Sequence, residues 1–233
     1  MPADIKALDR DGLRAAVADA GERAYRAAQL ERWLYARAAS SFDEMTDLSA
    51  ALRARLAERW ALSVPVVEAR LDSADGTRKY LLRLRDGVTV EAVGLPEGKR
   101  LTVCFSTQAG CAMRCAFCAT GASGLVRDLT CGEMVDQVAI VARDLGRRAT
   151  NAVAMGQGEP FANYDAVLAA LRFMNSADGL GIGARHLTVS TSGLPAGIRR
   201  FSEEPEQFTL AVSLHSAVQA TRDGLMPGLR RAR

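Results

Sequence analysis

Three cysteines fall within eight residues, Cys111-Ala-Met-Arg-Cys115-Ala-Phe-Cys118, directly behind the strand-like run Leu101-Thr-Val-Cys-Phe-Ser. Such a C-x3-C-x2-C loop offers three thiolates where an ordinary iron–sulfur cube takes four, so one iron is left open to a small molecule. Gly110 before the loop and Gly121 after it permit close backbone approach. Zinc is the competing occupant, but a structural zinc site wants four donors and commonly pairs two C-x2-C knuckles; the chain has no second knuckle. Cys131 lies thirteen residues beyond Cys118, at a predicted helix start, and is a poor fourth ligand.

Polar groups recur where later strands are predicted to end. Met155-Gly-Gln-Gly-Glu-Pro160 places Gly158 and Glu159 after one strand, where glycines admit a ligand and the carboxylate could accept hydrogen bonds from an amino group held at the open iron; the plain alternative is a βα turn. Ser190-Thr-Ser-Gly193 and Ser213-Leu214-His215 follow the next two strands, and three polar strand ends in register suggest one shared pocket. Cys104, seven residues before Cys111, reads by position as a small buried apolar residue. Glu91, one strand earlier, reads as an exposed strand carboxylate. Met113 and Phe117 are expected to pack around the cluster rather than to read a base.

Composition narrows the class. The 233 residues are 48% hydrophobic, enough for one large domain or one plus a small accessory module. No run of eighteen apolar residues occurs, and Met1-Pro-Ala-Asp-Ile-Lys lacks the form of a signal peptide, so a protein of the cytoplasm without a membrane partner is expected. Five cysteines, three of them crowded, favour a reducing compartment and metal ligation over a disulfide framework. The net charge of +3 is carried almost entirely by arginine, which suits phosphates and bases but equally follows from GC-rich coding. With only His186 and His215 available, proton transfer must lean on carboxylates, cysteines or His215.

The elements that hold these residues divide the chain in three. Residues 1–62 read as a small helical module, with Ser41 and Asp47 as caps, that either covers the sheet of the main domain or turns Arg23, Arg26, Arg32, Arg37, Arg53, Arg55 and Arg59 towards RNA. Residues 63–100 read as a β meander, with strands at 66–71, 79–84 and 89–93 and with Asp75-Gly76 and Asp86-Gly87 as turn signals. Residues 101–233 alternate: strand 101–105, helix 133–145, strand 151–155, helix 164–175, strand 187–190, helix 196–201, strand 208–213. The expected fold is therefore α/β, a parallel sheet with crossover helices forming an open or partial (β/α) barrel whose C-terminal end is incomplete, with functional residues at strand C-termini.

Taken together these residues resemble the radical S-adenosylmethionine RNA methyltransferases of the RlmN type. The likeness is carried by Tyr25-Arg-Ala-Ala-Gln-Leu-Glu-Arg-Trp-Leu-Tyr35, Phe42-Asp-Glu-Met-Thr-Asp-Leu-Ser49, Gln108 to Gly121, Gly156-Gln-Gly-Glu-Pro-Phe-Ala-Asn-Tyr164 and Leu187-Thr-Val-Ser-Thr-Ser-Gly193. The resemblance implies a [4Fe-4S] cluster on Cys111, Cys115 and Cys118, whose open iron is chelated by S-adenosylmethionine. It implies cofactor contacts at Gly158, Glu159, Ser190, Ser213, Leu214 and His215. It also implies methylation of C2 of adenosine in large-subunit ribosomal RNA and transfer RNA, with an electron donor such as flavodoxin and a monomeric enzyme. In that family the methyl group rides on a C-terminal cysteine. Cys104 matches the second cysteine, which frees the product with formation of a disulfide, and Glu91 matches the proton acceptor. The family's methyl-bearing cysteine and a cofactor-binding asparagine lie in further βα units with no counterpart here. The resemblance therefore implies an incomplete chain that holds a cluster, cleaves S-adenosylmethionine slowly and does not complete methylation. C8 methylation of the same adenosine by the sister activity, and a non-catalytic RNA-binding remnant, are the alternatives.

Overall fold

The computed structural model describes residues 2–231. Its first part is helical: a turn at Ile5–Ala7, then α1 (Arg10–Asp19), α2 (Arg26–Glu31), which runs on through a wider turn at Arg32–Ala36, and α3 (Ala50–Arg59). The expected caps are corrected. Ser49 caps α3 by accepting from Leu52 N at 3.2 Å, whereas Asp47 accepts the Trp33 indole N–H at 2.5 Å. Ser41 only begins a short turn, with no capping bond.

Strands follow at β1 (Val66–Asp72), β2 (Arg78–Arg83), β3 (Thr89–Glu97) and β4 (Arg100–Cys104), each antiparallel to the one before. A short ladder, β5 (Gln108–Gly110) with β6 (Leu125–Asp128), brackets the cysteine loop and the small helix α4 (Ala119–Ala122). Helix α5 (Cys131–Asp144) leads to β7 (Asn151–Ala154), α6 (Tyr164–Asn175) to β8 (Leu187–Thr191), and α7 (Pro195–Ser202) to β9 (Thr209–Val212), before α8 (Gln219–Leu225). The order β1-β2-β3-β4-β7-β8-β9 makes one open seven-stranded sheet, parallel from β4 onward, as α/β alternation predicts. The meander thus continues directly into the parallel strands.

Strand alternation gives the sheet two unlike faces. Val90, Ala92, Leu101, Val103, Ala152, Ala154, Leu187 and Val189 are buried and join the core with the apolar stripes of α5 and α6. Glu91, Val93, Thr102, Cys104, Val153, Thr188 and Ser190 alternate with them and stay partly open. Helix α5 starts sharply because Thr130 and Glu133 form a reciprocal capping box, and it buries Met134, Val138 and Val141 at helical spacing. At Gly94 of β3 an added Cβ would lie 2.6 Å from the Leu145 side chain, so the missing side chain sets how closely α5 approaches the sheet.

The helical module does not cover the sheet, as one sequence reading held; it forms a further layer on α5 and α6. Tyr35 stacks on Phe173 with ring centroids 4.5 Å apart, Arg32 bonds Asp178 at 2.5 Å, and the Cys131 thiol donates to the Lys6 and Leu8 carbonyls at 3.2 and 3.3 Å. Burial pushes that thiol up to about 12, which suits a packing role rather than ligation. Between the layers Lys6 donates to both oxygens of Asp136, at 2.7 and 3.0 Å. Burial pushes the Asp136 carboxyl up to about 6, with the Lys6 ammonium pulling it back. The two side chains are only 3% and 5% exposed, so losing one strands the other without water. Lys6→Met is therefore expected to cost about 3–5 kcal/mol in chemical denaturation, and a Lys6→Met/Asp136→Leu double variant to recover most of it, because a paired charge and an apolar pair are near-equivalent while an orphan is not. Equal stability of the single and double variants would contradict this.

Candidate active site

The parallel strands end on one rim, and the loops leaving it are fastened to each other by backbone bonds. Past β4, Phe105 N donates to Val153 O at 3.0 Å and Gly156 N to Phe105 O at 3.0 Å, so pairing with the segment after β7 continues beyond the strand. Thr107 N and Gln108 N both donate to Gln157 O. Ser106 is fully buried; its hydroxyl donates to Glu91 O at 2.6 Å and accepts from Gln157 N at 3.0 Å, joining β3 to the glycine-rich loop. Gln137 of α5, also fully buried, accepts from Ser106 N at 2.8 Å and donates to Ser106 O at 3.0 Å. Neither Ser106 nor Gln137 was singled out from sequence. Only the Ser and Gln flanking Thr107, just before the cysteine loop, hinted that this backbone needs side-chain partners.

Glu159 stands at the centre of the rim. It is 3% exposed, and its carboxylate accepts from Thr191 Oγ1, Ser192 N and Ser192 Oγ, each at 2.7 Å, and from Phe161 N at 3.1 Å. Four donors occupy the acceptor sites of an ionised carboxylate. The carboxylate expected to receive a ligand amine is thus already bonded to the end of β8. Gly158, at φ +105, leaves no room for a side chain: a Cβ there would lie 2.7 Å from Gln108 N. Ser190 and Ser213 meet with hydroxyls 3.4 Å apart. Leu214 is exposed, and His215, at φ +56, lays its ring against Phe117 of the cysteine loop with centroids 4.4 Å apart. Met113 packs with Met226 and Leu229, whereas Phe117 is 55% exposed, with the His215 ring beside it.

The cysteine loop is shaped without a bound group. Cys111 N donates to Gly124 O at 2.9 Å, and Gly110, at φ +78, must be glycine because a Cβ would fall 2.0 Å from Gly124 O. Arg114 takes a left-handed conformation at φ +50, turning the chain between Cys111 and Cys115. Burial pushes the Cys111 thiol up, the Met113 N–H pulls it back, and the neighbouring Cys115, Glu159 and Cys118 add to the rise. Cys115 is raised by burial and then by Cys118, with Arg222 the opposing charge. The three sulfurs therefore lie within electrostatic reach of one another, and a cationic group among them would relieve both burial and repulsion. Among the described residues no three His, Cys, Asp or Glu side chains converge closely enough for a single ion. What the loop offers is three thiols, the number a cube with one open iron takes from the protein and one fewer than a structural zinc site takes.

Cys104 and Glu91 share the open face. Val93 is the register partner of Cys104, which makes Glu91, two residues away, its diagonal neighbour. Burial pushes the Cys104 thiol up. Glu91 forms an ion pair with Lys79 at 2.6 Å, both side chains remaining well exposed. All five cysteines are free, and no disulfide joins any two of them.

Comparison with known proteins places this arrangement. Residues 3–62 match the family described as Ribosomal RNA large subunit methyltransferase N-terminal domain, and residues 105–229 match the Radical SAM superfamily. The chain is 48% identical over 236 residues to the dual-specificity RNA methyltransferase RlmN of Anaeromyxobacter dehalogenans, covering 98% of this chain and 63% of that protein. It is 50% identical over 220 residues to a probable dual-specificity RNA methyltransferase RlmN of Synechococcus elongatus, covering 90% and 59%. The chain therefore spans about three fifths of the length of these curated relatives. The crystal structure of a radical SAM methyltransferase from Sphaerobacter thermophilus superposes with a TM-score of 0.88 at 44% identity, over 99% of this chain and 69% of that one.

Because the four donors on Glu159 belong to the protein itself, its charge is needed before any cofactor arrives. Glu159→Gln exchanges one acceptor oxygen for an amide that must face a donor. It is expected to lower the stability of the cofactor-free chain by about 1–3 kcal/mol in urea denaturation. A variant as stable as the parent would show that the four bonds contribute nothing.

Proposed function

The chain belongs to the radical SAM superfamily, and from that premise we propose that it is the cluster-binding and cofactor-cleaving part of an RNA methyltransferase acting on adenosine C2 of large-subunit ribosomal RNA and transfer RNA. Members of this superfamily use a [4Fe-4S] cluster together with S-adenosylmethionine. Residues 3–62 and 105–229 match the two family descriptions in the order expected of such an enzyme.

The observation that carries the reading is the meeting of a three-thiol loop, shaped by its own backbone, with a rim of polar strand ends. Cys111, Cys115 and Cys118 are assigned the cluster. When reduced, it supplies the electron that cleaves S-adenosylmethionine to a 5′-deoxyadenosyl radical. Gly158 lets the glycine-rich loop pack closely on Gln108, Ser190 and Ser213 present paired hydroxyls, and Leu214 and His215 line the rim beside Phe117. Glu159 is assigned to the cofactor site through the backbone it arranges, since its oxygens are bonded to Thr191, Ser192 and Phe161. On the open face, Glu91 is assigned as acceptor of the C2 proton and Cys104 as the thiol that releases the methylated base. Their diagonal placement on adjacent strands of the open face supports giving the two groups roles in one reaction.

The partners proposed are RNA and a small electron-transfer protein, with the cytoplasm as compartment. Among the described residues no helix is long and apolar enough to cross a membrane. C8 methylation uses the same cysteines and is separated by nucleoside mass spectrometry.

The direct test is assembly with iron and sulfide under anaerobic conditions. The chain is expected to take up about four irons and, on reduction with S-adenosylmethionine present, to release 5′-deoxyadenosine. Single Cys→Ala changes at 111, 115 or 118 are expected to abolish release, whereas Cys131→Ala leaves it intact. Stoichiometric zinc uptake, or retention of cleavage in any of the three variants, would overturn the assignment.

A further inference from the structure

Helix α8 and the residues after it carry no periodic apolar pattern and no motif, yet they touch the loops leaving β8 and β9 and the cysteine loop. Arg222 of α8 donates from Nε to Leu214 O at 3.2 Å, and another guanidinium nitrogen donates to Ser192 O. Those carbonyls belong to the loops leaving β9 and β8. Ser192 is the residue whose N–H and hydroxyl fix Glu159, and Leu214 is itself an assigned cofactor contact. Gly193 is cut to this fit: at φ +105, a Cβ there would lie 2.8 Å from the guanidinium.

A separate set of contacts from the same segment holds the cysteine loop. Ala116 N donates to Leu225 O at 2.8 Å and Gly228 N to Met113 O at 2.9 Å. Met226 and Leu229, 1% and 3% exposed, close over Cys111 and Met113. A Cβ at Gly228 would fall 2.4 Å from Met113 O, so the contact is backbone on backbone.

The geometry points to a two-part clasp in which Arg222 is a positioning residue for S-adenosylmethionine and the Leu225–Leu229 stretch positions the cluster loop. This rests on the functional assignment above. Arg222 suits the task because a guanidinium offers five donors in a rigid fork. Two of them bridge carbonyls on different loops, which neither an ammonium nor an apolar side chain of similar length can do at once. The hydrogen bonds of Arg222 go to the strand-end loops, and the cysteine loop feels only its charge, at Cys115, so the two halves of the clasp are separable by a substitution that keeps the charge and changes the bonds, Arg222→Lys, set beside one that removes both, Arg222→Met.

The test uses the whole chain, reconstituted anaerobically with iron and sulfide. Readouts are iron content, melting temperature, equilibrium dialysis of radiolabelled S-adenosylmethionine, and the change that this ligand produces in the paramagnetic resonance spectrum of the reduced cluster. Arg222→Met is expected to keep its iron and lose affinity for S-adenosylmethionine at least tenfold, with a diminished spectral change. Gly228→Ala is expected to do the reverse in order, losing iron first. Arg222→Lys, which keeps charge and bulk but reaches one carbonyl, is expected to fall between wild type and Met, and it serves as the probe if Arg222→Met does not fold. Wild-type affinity in both Arg222 variants, or loss of iron and affinity in step, overturns the clasp alone. A wild-type chain that takes up no cluster, or binds no S-adenosylmethionine once loaded, overturns the functional assignment and the clasp with it.

Discussion

One buried carboxylate fixes the geometry of the rim. Glu159 follows β7 but is bonded to residues 191 and 192 at the end of β8, so two loops that are remote in sequence are drawn to one point. An ionised group at 3% exposure is tolerable only because four donors replace its water. Those donors are in turn committed: Thr191 Oγ1 also accepts from Gly193 N at 3.0 Å, and Ser192 O is held by Arg222. The chain of bonds runs from the glycine-rich loop through β8 to α8. Every link in it is made by the protein's own groups.

The sheet makes this possible by keeping one face unfilled. In a closed barrel the inward residues of every strand pack on one another. Here the positions on the open face of β3, β4, β7 and β8 are Glu91, Val93, Thr102, Cys104, Val153, Thr188 and Ser190, all of which stay partly exposed. Stability is drawn from the opposite face, where α5 lies on β3 and β4 and α6 lies against α5. Division of labour between faces follows directly from the two-residue period of a strand: a substitution on one face changes the site, and on the other the core.

The long periodic elements were legible in the sequence. Helices at 131–144 and 164–175 and strands at 66–72, 78–83, 89–97 and 151–154 fall within a few residues of their apolar patterns. The β5–β6 ladder was not, because three and four residues with a glycine among them carry no period. Helix α8 was not, because its contacts are made by carbonyls and by Arg222 rather than by an apolar stripe. The site divides in the same way. Cysteine spacing and strand-end serines are local signals, and they foretold the loop and the 3.4 Å meeting of Ser190 with Ser213. What Glu159 touches is decided by residues 32 and 33 positions away, and nothing in its own neighbourhood reveals that it is saturated.

The arginine-rich composition shows how a global signal can mislead about a surface. Seven of the nine arginines in residues 1–62 are tied within the protein: Arg10 to Glu31, Arg14 to Asp11, Arg26 to Gln29 and Asp47 O, Arg32 to Asp178, Arg37 to Asp47 and the Trp33 ring, Arg53 to Asp43, and Arg55 to Ala20 O. Each tie satisfies a carboxylate or a carbonyl, and Arg32 does so across the junction with the layer beneath. A guanidinium has five donors, so these ties leave some of its hydrogen-bonding capacity unspent while its charge is partly met within the protein. The module lies on α5 and α6, and Lys79, Glu91 and Cys104 lie along the opposite, open face of the sheet.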